Sequence, residues 1–460
     1  MTSPPNDLLT RLRASEQEHV LLDWDSLDND ARATFVRQLA AIDFAQLAAL
    51  RARVNTSADA MPANFAPPHV TPAAFTAEEK ARGADALQRG KIAALLVAGG
   101  QGTRLGTLQP KGMFPAAPIS GVSLYQLHAE KVFAIGCRYT HKLPFLVMTS
   151  PATDAPTRAF FAEHEHFSLV PDQVKFFQQG TMPAACPRTG RLLMEAPGRL
   201  FLSPNGHGGT LTALAESGLL RELAARGVEH VFYFQVDNPL VKVCDPGFIG
   251  RHLATESEAS SKVIAKELPE EKVGVLVEVN GRCSITEYTQ LPKHLSEERD
   301  ANGELRFRAG SPAIHLFSVG FLERVTRTAA GALPYHAARK SVAHYDPHTR
   351  TMVPAPPAGE PNAVKFERFI FDALPHAERW LAVETPRDEE FAPIKNATGP
   401  DSPETSAVAQ LALYAQWLAR AGVETNGNLV EISPLFALDE DELAAKAPRL
   451  PAITEMTILN

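Results

Sequence analysis

Cysteine is scarce in this chain: four in 460 residues, Cys137, Cys186, Cys244 and Cys283, with no CxxC pair among them. That spacing excludes a zinc knuckle or a dithiol redox centre and reads as reduced, structural thiols. Positive charge is not in excess either. Lys and Arg number 45 against 53 Asp and Glu, a formal net charge of −8, which excludes a nucleic-acid-binding surface as the main purpose. No run of about 18 apolar residues occurs, so a spanning helix is excluded. The opening MTSPPNDLLTRLRASEQEH lacks a basic stretch followed by an apolar one, the pattern of an export signal. Internal repeats and low-complexity blocks are also missing. The expectation is a soluble cytoplasmic protein without membrane or nucleic-acid partners. What is present is 45% hydrophobic and 21% charged residues, enough apolar material for a large core.

Apolar periodicity predicts helices across residues 7–53 and, after a proline-bearing stretch at 61–72, a short helix over 77–89. Thr76 followed three residues later by Glu79 forms a capping-box signature for that helix. The texture changes after Gly90. KIAALLVAGG, LPFLVM (143–148), 174–177 and 231–236 are short apolar runs of the kind that make buried parallel strands. Helical patterns at 124–135 and 211–226 lie between them, which predicts a doubly wound α/β sheet. Residues 262–287 are more β-like and suggest a mixed sheet walling a substrate. KFERFIFD at 365–372 reads as a strand and 407–421 as a helix. Three consecutive regions are expected: a helical region 1–90, a catalytic domain 91–397 with a sugar-binding sheet, and a small C-terminal α+β lobe 398–460.

The sharpest chemical signal is LLVAGGQGTRLGTLQPKGM at 95–113. A strand opening into Gly99, Gly100, Gly102 and Gly106 presents bare backbone at the carboxyl end of a sheet, where ligands of open α/β folds bind. Glycines let N–H groups approach phosphate oxygens, and Arg104 and Lys111 add positive charge. A P-loop needs GxxxxGK[ST], which is missing. The looser Gly100-x-Gly102-x-x-x-Gly106 spacing of a nicotinamide-dinucleotide site has no acidic residue after a following strand. A merely structural turn does not account for the attached GTR and PKGM.

Eight further segments, in order along nearly the whole chain, accompany that loop: QEHVLLDWDSL, PFLVMTS, FFQQGTMPA, NGHGG, VDNPLVKVCDPGFIG, KFERFIFD, FAPIKNA and ISPLFAL. Together the nine make the chain resemble the UDP-sugar pyrophosphorylases, and within them the UDP-N-acetylhexosamine type. The resemblance implies a nucleotidyltransferase core, Rossmann-like and GT-A-like, with a doubly wound mixed or parallel sheet. It also implies an Mg²⁺-dependent uridylyltransferase that makes UDP-N-acetylglucosamine and pyrophosphate from UTP and N-acetylglucosamine 1-phosphate.

By the same resemblance, backbone at Ala98, Gly99, Gly100 and Gly206 contacts the nucleotide and Gln179 reads the uracil edge. Strand alternation sends Gln178 to the other face. Asp237, following the run VFYFQV, is placed to hold Mg²⁺ against the α-phosphate, since hard cations prefer oxygen ligands. Asn238 beside it is assigned to the sugar or the metal. Arg104 and Lys111 belong to the triphosphate side, and Lys365 and Lys395 reach the phosphates from across the cleft. Gly274 and Glu287 are expected at the sugar hydroxyls.

The attacking sugar-phosphate oxygen is already anionic, so the reaction proceeds in line without a covalent intermediate. Catalysis then consists of positioning and charge neutralisation. Two positions depart from the N-acetylhexosamine pattern. His207 stands where that type carries Asn, as in UDP-glucose and broad UDP-sugar enzymes, and Ile314 stands where an Asn usually touches the sugar. Transfer to glucose or galactose 1-phosphate is therefore the alternative reaction. A catalytically inactive nucleotide-binding protein is the alternative of another class.

Overall fold

The structure is a computed structural model that describes residues 3–55, 65–139, 141–327, 333–357 and 359–460. The chain groups into two compact units, neither continuous in sequence: 1–63, 179–209 and 333–370 in one; 64–178, 210–332 and 371–460 in the other. The three consecutive regions expected from the sequence are therefore not the units into which the chain packs. Composition follows the chain locally, whereas a unit closes through segments that return from far along it.

The first unit begins with helices α1 (Asn6–Ala14), α2 (Asn29–Ala40) and α3 (Phe44–Asn55). Asp28 caps α2 by accepting from the Ala31 N–H at 2.8 Å, as an N-cap carboxylate should. Leu8, Leu12, Phe35, Leu39 and Leu47 pack with Leu192, Met194, Tyr345, Val364 and Phe366 in one apolar cluster. Thus the helical region predicted at 7–53 is found, and it takes these core partners from residues 145 to 358 positions away.

The second unit is built on a large sheet. Nine of its eleven strands are β1 (Ile92–Val97), β2 (Phe145–Thr149), β3 (Val174–Gln178), β4 (His230–Gln235), β5 (Ala259–Ala265), β6 (Val275–Val279), β7 (Arg282–Thr286), β8 (Ala309–Ser318) and β9 (Trp380–Glu384). The order across it is β9-β5-β8-β4-β1-β2-β3, and β6 and β7 form a hairpin that joins at β8. Strands β4, β1, β2 and β3 are mutually parallel, while β8 runs antiparallel to both β4 and β5. All six residues of β1 are buried, as a central parallel strand covered on both faces requires. Ile92, Ala94 and Leu96 join Phe145, Val147, Phe232, Phe234 and Leu316 in the central core.

Helix α4 (Ala77–Gln88) starts at the predicted box: Thr76 accepts from Glu79 and Glu79 accepts from Thr76. Helix α5 (Leu124–Arg138) follows the glycine loop and is capped by Ser123. The pattern read as one helix over 211–226 is two, Gly209–Glu216 and Leu219–Ala225, because Gly218 adopts a left-handed φ of +79° between them. KFERFIFD is half strand: Ala363–Glu367 is extended and Ile370–His376 is a 3-10 segment. The C-terminal helix Pro403–Arg420 packs with Val430, Ile432 and Leu443 in a separate small core.

Candidate active site

The chain runs outward from β1 through β2 to β3, then returns to place β4 on the other side of β1. The order reverses between β1 and β4, and such a switch point opens a crevice at the carboxyl ends of the strands. Val97 pairs with Gln235, so the two strands finish level. The Val236 N–H donates to the Val97 carbonyl at 3.1 Å, and the Ala98 N–H to the Met148 carbonyl at 2.8 Å. The glycine loop and Asp237 consequently leave the sheet side by side.

Beyond Gly99 the loop turns on itself. The Gly102 N–H donates to the Gln109 carbonyl at 2.9 Å and the Lys111 N–H to the Gly100 carbonyl at 3.0 Å. This folds PKGM back over the loop and explains why the two motifs occur together. Gly100 is exposed and has open space where a Cβ would stand. Gly112 has the opposite constraint: a Cβ there would lie 2.3 Å from the Tyr125 ring. Arg104 sits on a one-turn 3-10 segment, Thr103–Leu105, with its side chain in solvent.

Lys111 Nζ donates to Asp237 Oδ2 at 3.0 Å, with the two side chains only 17% and 13% exposed. Burial works to raise the Asp237 carboxyl, but the charges of Lys111 and Lys395 and the Lys111 hydrogen bond outweigh it and hold the group below the ordinary carboxylate range. Asp237 is thus an ionised carboxylate between two cations. Lys395 arrives through backbone: the Ile394 N–H donates to the Asp237 carbonyl at 2.8 Å. The Lys395 ammonium lies 5.2 Å from the Phe391 ring centre and 3.5 Å from Asp401. Lys111, Asp237 and Lys395, three residues predicted for the phosphates and metal, are brought together within this unit.

The same unit holds Gly274, Glu287 and Ile314. Gly274 leads into β6, and its carbonyl accepts from the Ser311 N–H at 2.8 Å. Glu287 lies one residue past the end of β7 and not within the strand, and its carbonyl caps a turn by accepting from Gln290 and Leu291. Ile314, at the position where an Asn usually touches the sugar, lies in the interior. It pairs with Lys262 across β8 and β5, is 1% exposed and belongs to the central apolar core.

The first unit holds Gln179, Gly206, His207 and Lys365. Gln178 ends β3 exposed while Gln179 is buried, the alternation expected of adjacent strand residues. Gln179 Oε1 has no hydrogen-bond partner among the described residues. A buried amide oxygen without a partner costs about 1–3 kcal/mol, so it marks a place for an incoming donor. Asn205 shares this feature through its buried Oδ1, which has no partner among the described residues, while its backbone N–H donates to the Gly180 carbonyl at 3.0 Å. Asn205 adds to the residues expected from the sequence, where its place before Gly206 in NGHGG is the available signal.

Gly206 has φ +85°, and a Cβ there would meet the Arg368 carbonyl oxygen at 2.4 Å, so only glycine fits. His207 Nδ1 accepts from the Ile370 N–H at 3.2 Å, and burial pushes its pKa down to about 4. His207 is therefore neutral at physiological pH with its hydrogen on Nε2. Lys365 lies on Ala363–Glu367 with its ammonium 5.2 Å from the Phe201 ring centre. Burial lowers its pKa, partly opposed by Glu367.

An open α/β sheet with a glycine loop and a carboxylate flanked by lysines at its switch point defines a nucleotide-binding protein equipped to handle phosphate groups. Residues 55–453 match the family described as UTP--glucose-1-phosphate uridylyltransferase. The chain belongs to that family. It is 33% identical to UDP-N-acetylglucosamine diphosphorylase 2 of Arabidopsis thaliana, over 96% of this chain and 92% of that one. It is 38% identical to UDP-N-acetylglucosamine pyrophosphorylase of Saccharomyces cerevisiae, over 79% of this chain and 77% of that one. Among solved structures, the uridine diphosphate N-acetylglucosamine pyrophosphorylase from Trypanosoma brucei superposes with a TM-score of 0.83 at 27% identity, covering 100% of this chain and 99% of that one.

Proposed function

We propose that the protein joins UTP to N-acetylglucosamine 1-phosphate, forming UDP-N-acetylglucosamine and releasing pyrophosphate. The observation that carries this reading is the Lys111–Asp237–Lys395 group beside a bare glycine loop, in a chain whose relatives bear that activity in their names. The loop backbone offers N–H groups to the phosphates without an intervening Cβ. Lys111 and Lys395 offset negative charge as it moves from the attacking to the leaving oxygen, and Arg104 adds charge at the rim. Gln179 is assigned to the uracil edge, with its buried Oε1 as acceptor for a base N–H. No residue need abstract a proton, because the attacking phosphate oxygen is already ionised.

Among the described residues there is no group of three or more His, Cys, Asp or Glu that could cage a metal. Magnesium keeps several waters and takes phosphate oxygens, needing only one or two carboxylates from protein. An ionised, partly buried Asp237 fits that requirement. Bound there, Mg²⁺ would neutralise charge on the α-phosphate. The partners assigned are small molecules, and no helix among the described residues is long and apolar enough to cross a membrane. All four cysteines are free, which supports the cytoplasm as the working compartment.

A second reading, transfer to glucose or galactose 1-phosphate, draws on one observation: position 207 presents a neutral imidazole held by the Ile370 N–H. Pyrophosphate release from UTP and Mg²⁺ with a panel of sugar 1-phosphates separates the two. Fastest turnover of N-acetylglucosamine 1-phosphate is expected, and equal or faster turnover of glucose 1-phosphate overturns the N-acetyl assignment. Binding of UTP without turnover of any acceptor leaves an inactive nucleotide-binding protein.

A further inference from the structure

Asn238 follows the metal-site carboxylate directly, which suggests a ligand contact. Its side chain is used otherwise. Oδ1 accepts from the Leu240 N–H at 3.3 Å, closing the turn after β4, and from the Ala392 N–H at 3.1 Å. Nδ2 donates to the Glu390 carbonyl at 2.6 Å. The residue is 3% exposed, and both halves of its amide face backbone.

The partner segment answers in kind. Glu390 is fully buried, and its Oε1 accepts from the Lys242 N–H at 3.1 Å. Its carboxylate is fixed by Lys262 Nζ at 2.6 and 2.7 Å and by the Thr385 hydroxyl at 2.5 Å. Lys262 also donates to Asp245 Oδ2 at 2.8 Å, at the far end of the same loop. Each segment therefore satisfies the backbone of the other through a buried side chain. Lys131 on α5 adds a third hold by donating to the carbonyls of Pro239 and Val241. The strap ends at the chemistry: four residues beyond Glu390, the Ile394 N–H bonds the carbonyl of Asp237 itself, and Lys395 comes next.

We propose that Asn238 is a positioning residue that sets Lys395 against Asp237. Its amide binds the 390–392 backbone to the turn carrying Asp237, so the cation and the carboxylate, which lie 158 positions apart in sequence, approach the phosphates as one rigid pair. The hydrogen bonds of the Asn238 amide all go to backbone groups of these two segments. Misplacing a charged group by about 1 Å costs up to about a hundredfold in rate, and that is the effect assigned to the strap.

This proposal rests on the transferase reading above, and the test separates the two. In Asn238→Ser the shorter side chain can still accept from the Leu240 N–H, as serine does in such turns, but it does not reach Glu390 or Ala392. The expected result is a kcat lower by about 10- to 100-fold, with the KM for UTP little changed and native circular dichroism. In a Lys395→Met background the same substitution should change kcat by less than about twofold, because residues acting through one another are not additive. Asn238→Ala, which also breaks the turn, should lose at least as much activity. Wild-type kcat in Asn238→Ser, or losses that multiply with those of Lys395→Met, would overturn the proposal. So would failure of both Asn238 variants to fold, which makes the residue structural only. Absence of pyrophosphate release by the wild-type protein instead removes the transferase reading.

Discussion

Gln179 shows most plainly how a single side chain announces a ligand. A fold gains nothing from a buried amide oxygen that has no partner among the described residues; in sequence the residue is reached through the family resemblance, and strand alternation separates it from Gln178. Replacing Gln179 by Ala removes that unmet acceptor. The expected outcome is a thermal midpoint equal to or above wild type together with a several-fold higher KM for UTP, checked by thermal unfolding and initial rates. A lower midpoint with unchanged KM would mean that the amide serves the fold. Other single residues were less readable. Glu390 sits in the acidic run RDEE, which looks like a solvated face, and its burial depends on Lys262 128 positions earlier. Ile314 stands at a position tied to the sugar by resemblance, yet it faces the core, because only the register of β8 against β5 decides which side it takes.

At the scale of elements, β1, its glycine loop and β4 were legible because their signals are local: a continuous apolar run, then glycines or an acid. Boundaries that depend on a single backbone conformation were not. The break at Gly218 and the end of the strand at Glu367 both fall inside uninterrupted patterns. The PKGM segment illustrates packing between neighbouring elements. Its Gly112 lies against the Tyr125 ring of α5, one residue after Lys111. Gly112→Ala would force the turn away from the helix. A stability loss of about 1–3 kcal/mol is expected, as for other overpacked sites, with a fall in turnover larger than that loss explains at 25 °C. Denaturant melts and initial rates on the same preparation check both; wild-type values in each would show that the contact does not set Lys111.

Over the whole molecule, the mixed α/β class was readable from alternating patterns, while the grouping into two discontinuous units was not, since nothing local marks where a chain will return. A global property follows from buried histidines. Burial lowers His128 to about 3 and His207 and His230 to about 4, and carries His252 well below its usual value. Between the ordinary histidine pKa of about 6.5 and those values, the unfolded chain binds more protons than the folded one. Stability therefore rises with pH across that window and falls as pH drops from about 6.5 toward 4. Each such group contributes on the order of 1 kcal/mol or more to the loss by pH 5. The thermal midpoint should fall by several degrees between pH 7 and pH 5, and a flat profile would contradict the buried neutral rings.

The central claim is that the carboxyl ends of β1 and β4 form the transfer centre, with Asp237 as its anionic member between Lys111 and Lys395. Asp237→Asn keeps the shape of the side chain and removes its charge. The most direct measurement is pyrophosphate release from UTP, Mg²⁺ and N-acetylglucosamine 1-phosphate by wild type and Asp237→Asn side by side, with circular dichroism to confirm that both are folded. The expected result is turnover by the wild type and a loss of at least about a hundredfold in the variant, the scale of removing one charge-stabilising group from a transfer site. A folded Asp237→Asn protein with wild-type turnover would contradict it.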